Sequence, residues 1–529
     1  MSALSVQELE DEVHESDELM RSALGSNGKP RDDETLRAAA ERILKALNKL
    51  EPLDPDVYIE EYAGQRSEAE DALLLTGGAA ALCSLTGKPR AELTDMGNAV
   101  RFAADHADAV RYVPGPRWHA WDGRRWATDT EGAVMRAAKG TVRGIREEAK
   151  ALEDPDLAKK VFGHAIASQS RRGLEATIKL AESELGMVVE SAALDADPNL
   201  FNVQNGTLDL RTGELRPHDR ADLLTKLAPV TFDDGARCPR WDEFLQTVLA
   251  GEAELIEFLQ TAVGYTLTGH TSEQCMMLLT GDGANGKSTF LEVVGAMAGD
   301  YADKADSSTF MARSAQAGSA RPDLARLRGA RYVHAAEVEQ GARFAEVFVK
   351  QATGGDTLVA RPLYKDEFEF QPQFTIWIGA NSRPEIRGTD HAIWRRIREV
   401  PFTVKITKPD KRLPEKLRAE LPGILNWALA GCKRWYADGL PLPDAVRVAT
   451  QDYRTSQDTV GQFIEACCQL HGEASIAAAE LYEAYSSHCT EEGLEPLARP
   501  QFKAALQARG IVQRRDKHGL RWVGIGAAR

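Results

Sequence analysis

Apolar and polar positions fall into blocks that divide the chain into helical and strand segments. The sharpest block is the apolar run Cys275–Leu279. It leads into Gly281-Asp-Gly-Ala-Asn-Gly-Lys-Ser-Thr289 and then a helical run from Phe290 to Met297. A buried strand, a glycine-rich loop and a helix in that order make the context of a phosphate-binding loop. The glycines let backbone N–H groups approach a polyphosphate, and the new helix adds its positive dipole end. Gly281, Asp282, Gly283, Ala284, Asn285, Gly286, Lys287, Ser288 and Thr289 are therefore expected to hold a nucleoside triphosphate. Lys287 would reach the β- and γ-phosphates, and Ser288 would hold Mg2+.

Two more apolar runs end in polar residues suited to the same site. Arg331-Tyr-Val-His-Ala-Ala-Glu337-Val-Glu339 reads as a strand with acids at its tip. Glu337 is assigned to the Mg2+ shell; Glu339 is either the base that polarises water or a solvated residue. Phe374–Asn381 reads as a second strand, with Asn381 expected to orient water against the γ-phosphate. Trp394-Arg-Arg-Ile-Arg398 follows, and Arg395 or Arg396 is the candidate for an arginine inserted into a neighbouring subunit's site. Between these strands, alternation across Gly354–Phe368 predicts a hairpin. Arg361, Tyr364 and Lys365 near its tip suit phosphate charge and base stacking, as on a DNA strand.

Upstream, Thr35 to about Lys150 is helical with one β insertion. Asp122-Gly123 between tryptophans 118, 121 and 126 signals a hairpin, with the rings either packed in a local core or offered as a stacking platform. Glu131–Glu184 predicts two or three helices broken near Asp154-Pro155. Asn199–Leu215 predicts a small meander turning at Asn205-Gly206 and Thr212-Gly213. Asp242–Leu267 is amphipathic and helical, either a collar between subunits or a packing helix. Downstream, residues 406–465 are helical. Two helices at Ala474–Glu492 and Arg499–Ala508, then a basic hairpin over 511–523 turning at His518-Gly519, form a winged-helix pattern. Lys503, Arg509, Arg514, Arg515 and Lys517 are its candidate DNA contacts.

At 529 residues three or four domains are expected. No apolar run approaches the roughly 18 residues of a membrane span, and the start of the chain does not read as a secretory signal. Cysteines 83, 238, 275, 432, 467, 468 and 489 form no C-x-x-C pair, which points to a reducing cytoplasm rather than a disulfide or zinc framework. The net charge of −15 argues against a nucleic-acid partner only if it is spread evenly. Seven acids fall within residues 1–20, which hold no Lys or Arg.

Gly281–Ser288, Glu337-Val-Glu339, Gly354-Gly-Asp356 and Gly379-Ala-Asn381 through Arg396 together resemble the superfamily 3 helicase motifs of phage and plasmid primase-helicases of the poxvirus type. The resemblance extends through Thr94-Asp-Met-Gly-Asn98, Trp121-Asp-Gly123, Asn205-Gly-Thr-Leu-Asp209 and Leu421-Pro-Gly-Ile-Leu-Asn-Trp427. It implies a multidomain α/β chain with a central AAA+-like P-loop ATPase domain, a mainly helical N-terminal domain with small hairpins, and a C-terminal winged helix. The expected segments are an acidic, disordered leader (1–35), a helical domain (36–228), a collar or linker (229–267), the ATPase (268–405), a helical subdomain (406–465) and the winged helix (466–529). The implied activity is ATP- and Mg2+-dependent helicase action by a homo-hexamer on single-stranded and forked duplex DNA. Primase, polymerase or single-strand-binding proteins are the implied partners, and no membrane is. The resemblance assigns Lys287 and Ser288 to phosphate and Mg2+, Glu337 to the acidic motif, Asn381 to the sensor, Arg396 to the finger and Lys365 to the channel hairpin. Viral relatives carry two adjacent acids where Val338 separates Glu337 from Glu339, so the base stays open between them. No segment supplies a primase's paired-acid and histidine site, so primer synthesis is not expected here. A non-helicase NTPase switch and an origin-binding initiator are the alternative readings.

Overall fold

The structure, a computed structural model, describes residues 88–529 apart from 116, 313–320, 362–366, 388–390, 518 and 528–529. The expected acidic leader, the tip residues Tyr364 and Lys365, and His518 lie outside the described residues. Two compact units are present. One contains the residues up to Ala196 together with Asp219–Thr225; the other contains Asp197–His218 and everything from Lys226 onward. Among the described residues no helix is long and apolar enough to cross a membrane.

In the first unit, helix α1 (Asp95–His106) precedes an antiparallel sheet of β1 (Val110–Val113), β2 (Arg117–Trp121) and β3 (Trp126–Thr128). Helices α2 (Ala133–Ala151), α3 (Pro155–Ala167) and α4 (Arg171–Ala181) follow. The Asp-Gly turn sets Trp121 opposite Trp126. Trp126 is buried and its indole N–H donates to the Arg220 carbonyl at 2.9 Å, while the Arg220 guanidinium lies 5.9 Å from the Trp121 ring. These rings pack a local core. The expected break between helices is a cap: the Asp154 carboxylate accepts from the Asp156 and Leu157 N–H groups, with Pro155 in the first turn.

The second unit opens with the meander β4 (Leu200–Val203), β5 (Gly206–Asp209) and β6 (Glu214–Arg216). Val203 pairs with Gly206, so the turn is Gln204-Asn205 and the glycine is the first strand residue. The reason is steric, because a Cβ at Gly206 would sit 2.4 Å from the Arg216 carbonyl oxygen. Helices α5 (Pro239–Val248) and α6 (Ala253–Leu267) follow as two elements where the amphipathic pattern suggested one. Ala250 and Gly251, at φ of 55° and 74°, break the helix between them.

Next come β7 (Met276–Thr280), α7 (Lys287–Ala298), β8 (Ala302–Lys304), β9 (Tyr332–Ala335), α8 (Glu346–Gly354), β10 (Leu358–Ala360), β11 (Phe368–Phe370), β12 (Thr375–Ala380) and β13 (Ile397–Pro401). β10 and β11 form the expected hairpin. The other five strands make one parallel sheet in the order β13-β7-β12-β9-β8. Helices cover both faces, so strands such as β12 are buried at every residue and read as unbroken apolar runs. One face packs on Trp241, Phe244 and Phe290, the other on Phe310, Leu324 and Phe344.

Helices α9 (Leu413–Arg418) and α10 (Leu421–Asp438) return to the first of these faces. α6 crosses α10 backbone to backbone. A Cβ at Gly264 would lie 2.1 Å from the Cys432 nitrogen, and one at Gly431 would lie 2.0 Å from the Gln260 carbonyl oxygen. α6 is thus a packing helix inside its own chain. Gly431→Ala must push the two helices apart, and a loss of at least about 1–3 kcal/mol is expected in denaturant unfolding. An unchanged midpoint would refute the crossing.

Helices α11 (Asp444–Gln457) and α12 (Thr459–Cys467), strand β14 (Cys468–Ala477), helices α13 (Ala478–Glu491) and α14 (Arg499–Ala508), and strands β15 (Val512–Asp516) and β16 (Gly519–Ala527) complete the chain. Here one expectation is corrected. The helix predicted from Ala474 begins at Ala478, and the residues before it are strand. Ser475, Ile476 and Ala477 pair with Val523, Trp522 and Arg521 of β16, a long-range partner that overrides the local alanine-rich preference.

Candidate functional site

The carboxyl ends of β7, β9 and β12 lie side by side, which is where open parallel sheets bind ligands. Residues 281–286 leave β7 in a tight loop, the Gly283 N–H donating to the Gly281 carbonyl at 2.9 Å. Glycine is required here by contact as well as by conformation. A Cβ at Gly281 would meet the Phe402 carbonyl oxygen at 2.2 Å, and one at Gly286, with φ of 90°, would meet Val248 Cγ1 at 2.6 Å. Gly286 then caps α7 with no side-chain partner, leaving the first-turn N–H groups available to an anion.

Lys287 is the centre of the site. Its ammonium donates to the Gly281 carbonyl at 2.6 Å, Asn285 Oδ1 at 3.0 Å and Asn381 Oδ1 at 3.1 Å, so all three protons are matched. One contact thus joins the glycine loop to the tip of β12, residues 94 positions apart in the chain. Burial lowers the lysine's pKa, with Asp282 acting in the opposite sense. Asn285 is buried and also donates from Nδ2 to the Phe402 carbonyl at 3.1 Å, which fixes the amide that receives the lysine.

Ser288 is exposed at the start of α7, and Asp282 and Ala284 are exposed on the loop. Glu337 and Glu339 are both exposed beyond β9. Glu337 holds φ at 63°, a left-handed conformation that a residue with a side chain adopts at a cost of about 1–3 kcal/mol. A hydroxyl and a carboxylate are hard oxygen donors, the set suited to Mg2+ when phosphate oxygens and water complete the shell.

The adjacent arginines diverge. Arg396 turns inward: it is buried, its Nε donates to Thr353 Oγ1 at 3.1 Å and a terminal nitrogen donates to the Ala392 carbonyl at 2.6 Å. Arg395 turns outward, donating to Gln274 Oε1 at 2.7 Å. Of the two candidates, Arg396, to which the resemblance pointed, is the buried one and Arg395 the exposed one.

One group beside the site was not marked in the sequence. Glu399 of β13 is buried and accepts from Thr280 Oγ1 and Arg383 Nε, each at 2.8 Å. A cavity of about 590 Å³ lies here, its lining including Gly281, Gly283, Arg383, Glu399, Lys405 and Asp452. An acid inside the strand Ile397–Pro401 was the available signal.

The remaining candidates sit apart from this centre. Arg361 is exposed at the end of β10. Lys503 on α14, Arg514 and Arg515 on β15, and Lys517 in the following turn are all exposed. Arg514 stands directly opposite Arg521, whose guanidinium donates to the Ser475 carbonyl at 2.7 Å. Arg509 instead pairs with Asp458.

Comparison with known proteins places three stretches. Residues 99–250 match the family described as D5 N terminal like, residues 455–511 the poxvirus D5 protein-like family, and residues 279–396 a family of unknown function. A helicase-named protein of Acanthamoeba polyphaga mimivirus (L207/L206) is 30% identical over 312 residues, covering 53% of this chain and 32% of the relative. A helicase-named protein of frog virus 3 (022R) is 26% identical, covering 63% of this chain and 43% of the relative. A primase-named protein of African swine fever virus (C962R) is 25% identical, covering 51% and 31%. The chain thus spans less than half the length of each of these relatives. Among solved structures, the apo C-terminal region of NrS-1 is similar at a TM-score of 0.37 and 10% identity, covering 59% of this chain and 88% of that one.

Proposed function

We propose that this chain, which matches the D5 N terminal like and poxvirus D5 protein-like families over residues 99–250 and 455–511, is the ATP-hydrolysing motor of a replicative DNA helicase, working as a ring of identical subunits on single-stranded DNA. The observation that carries this reading is the Lys287–Asn381 contact at 3.1 Å, which brings the glycine loop and the tip of β12 to one point. Triphosphate oxygens arriving there would replace the carbonyl and amide oxygens that Lys287 now touches, and burial strengthens that exchange. Ser288 and Glu337 would hold Mg2+, which when bound neutralises phosphate charge. Asn381 would orient the attacking water and Glu337 or Glu339 would accept its proton. Arg395 would supply charge to the transition state in the adjacent subunit.

The hairpin of β10 and β11, with Arg361, Tyr364 and Lys365, would grip the strand. The module of α13, α14, β15 and β16 has the order of a winged helix, with Lys503, Arg514, Arg515 and Lys517 toward DNA. The test is ATP turnover with and without single-stranded DNA, followed by unwinding of a forked duplex. Stimulation and unwinding are expected. Turnover indifferent to DNA would sink the helicase reading and leave an NTPase switch.

A further inference from the structure

The helicase reading uses the nucleotide site, the β10–β11 hairpin and the C-terminal module; it assigns nothing to the first unit. Helix α2 of that unit has one buried face, built from Val134, Ala138, Val142 and Ile145, so its orientation is fixed. The opposite face carries Arg136, Lys139 and Arg143, all exposed, and Lys150 about two turns further on. At 100° per residue these four side chains fall within about one third of the helix circumference. No Asp or Glu occurs between Gly132 and Arg146. Arg136 donates only to a backbone carbonyl, that of Glu131 at 2.7 Å, and Lys139 and Arg143 have no partner among the described residues. The one acid on the stripe, Glu147, is already paired with Lys150 at 2.8 Å. In a chain of net charge −15, three neighbouring cations without counter-charge stand out.

Two glycines lie among them. Each costs a helix interior about 1 kcal/mol relative to alanine. Among the described residues almost nothing uses the space: a Cβ at Gly144 meets nothing within 4 Å, and one at Gly140 only the His106 ring at 3.9 Å. The bare helix between the cations instead lets an outside backbone come close. Arg136 and Arg143 are separated by about 10 Å along the axis, about three phosphate steps of one strand at roughly 3.4 Å each.

We infer that the Arg136–Lys139–Arg143 face of α2 is a second DNA contact, binding the sugar–phosphate backbone by charge and without reading sequence. The inference rests on the DNA-motor reading. The chemistry is shared by single-stranded and duplex DNA, so both are probes. With the full-length protein, binding of a fluorescent 30-nucleotide strand and of its duplex is measured across a salt series. The triple variant R136Q/K139Q/R143Q should bind at least one probe about 10–100-fold more weakly near 0.15 M salt. The slope of log affinity against log salt should fall by about 2 for the single strand, or nearer 3 for the duplex. The probe that shows the loss identifies the strand state. Gly144→Glu serves as a second variant: it raises helix propensity, enters open space, and should weaken the same probe by its charge. DNA-free ATP turnover should stay at the wild-type value in both, and the melting temperature should fall in neither.

Wild-type protein that binds neither probe would defeat the DNA-motor reading itself. Wild-type protein that binds, with both variants keeping its affinity and slope, would overturn the α2 contact alone. Unchanged DNA binding together with lost affinity for an acidic protein partner would also overturn it.

Discussion

Lys287→Ala is expected to reduce ATP turnover by about 10³-fold or more while the protein stays folded. The two halves of that expectation come from the same geometry. The ammonium sits where the glycine loop, Asn285 and Asn381 converge, so no other cation among these contacts replaces its charge on the phosphates. The acceptors it abandons can be reached by water, since Asn381 is exposed and the loop borders an open cavity. Stability should therefore fall by no more than about 1–2 kcal/mol. Steady-state hydrolysis and a thermal melt on the same sample separate the effects. Turnover within tenfold of wild type in folded protein would remove the basis for placing triphosphate at this loop.

Exchanging each of the neighbouring arginines for alanine should give opposite phenotypes. Arg395→Ala is expected to lower turnover of the assembled protein by about 10³–10⁵-fold, with stability unchanged to within about 0.5 kcal/mol. Arg396→Ala takes one partner from the buried Thr353 hydroxyl, which keeps its bond to the Val349 carbonyl, and removes the donor to the Ala392 carbonyl, and is expected to lower stability by about 1–3 kcal/mol. Mixing gives a sharper readout. A Lys287→Ala subunit still offers Arg395, and an Arg395→Ala subunit still offers Lys287. Co-assembly of two inactive variants should restore measurable hydrolysis at the interfaces that combine them. Failure of the mixture to regain activity, or an Arg396→Ala variant that is stable but dead, would reject Arg395 as the shared residue.

The strand, glycine loop and helix around Lys287 were legible because they are written in short local stretches. Gly281–Ser288 must be both strand end and helix start, and Asn381 closes an apolar run that can only be a buried strand. The meander and the Trp121–Trp126 hairpin were equally legible from turn residues. What the sequence hid depends on distant partners. Residues 474–477 have helical neighbours in sequence but a strand neighbour in space. Arg395 and Arg396 are chemically alike, and only the inward bonds of Arg396 to Thr353 and the Ala392 carbonyl separate their placement. Glu399 passed unmarked because its partners, Thr280 and Arg383, come from two other strand ends. Whether α6 joined subunits or packed internally could not be read until Gly431 was set against it.

That meeting of Gly264 and Gly431 has a practical corollary for anyone wishing to excise the parallel sheet. With no side chains between them, the two helices behave as a single brace, although the glycine loop and the sheet lie between them in the chain. A fragment trimmed to 268–405 would discard both limbs of the brace, remove Trp241 and Phe244 with them, and leave Phe290 uncovered. The smallest excisable piece therefore begins before Pro239 and runs at least through Asp438.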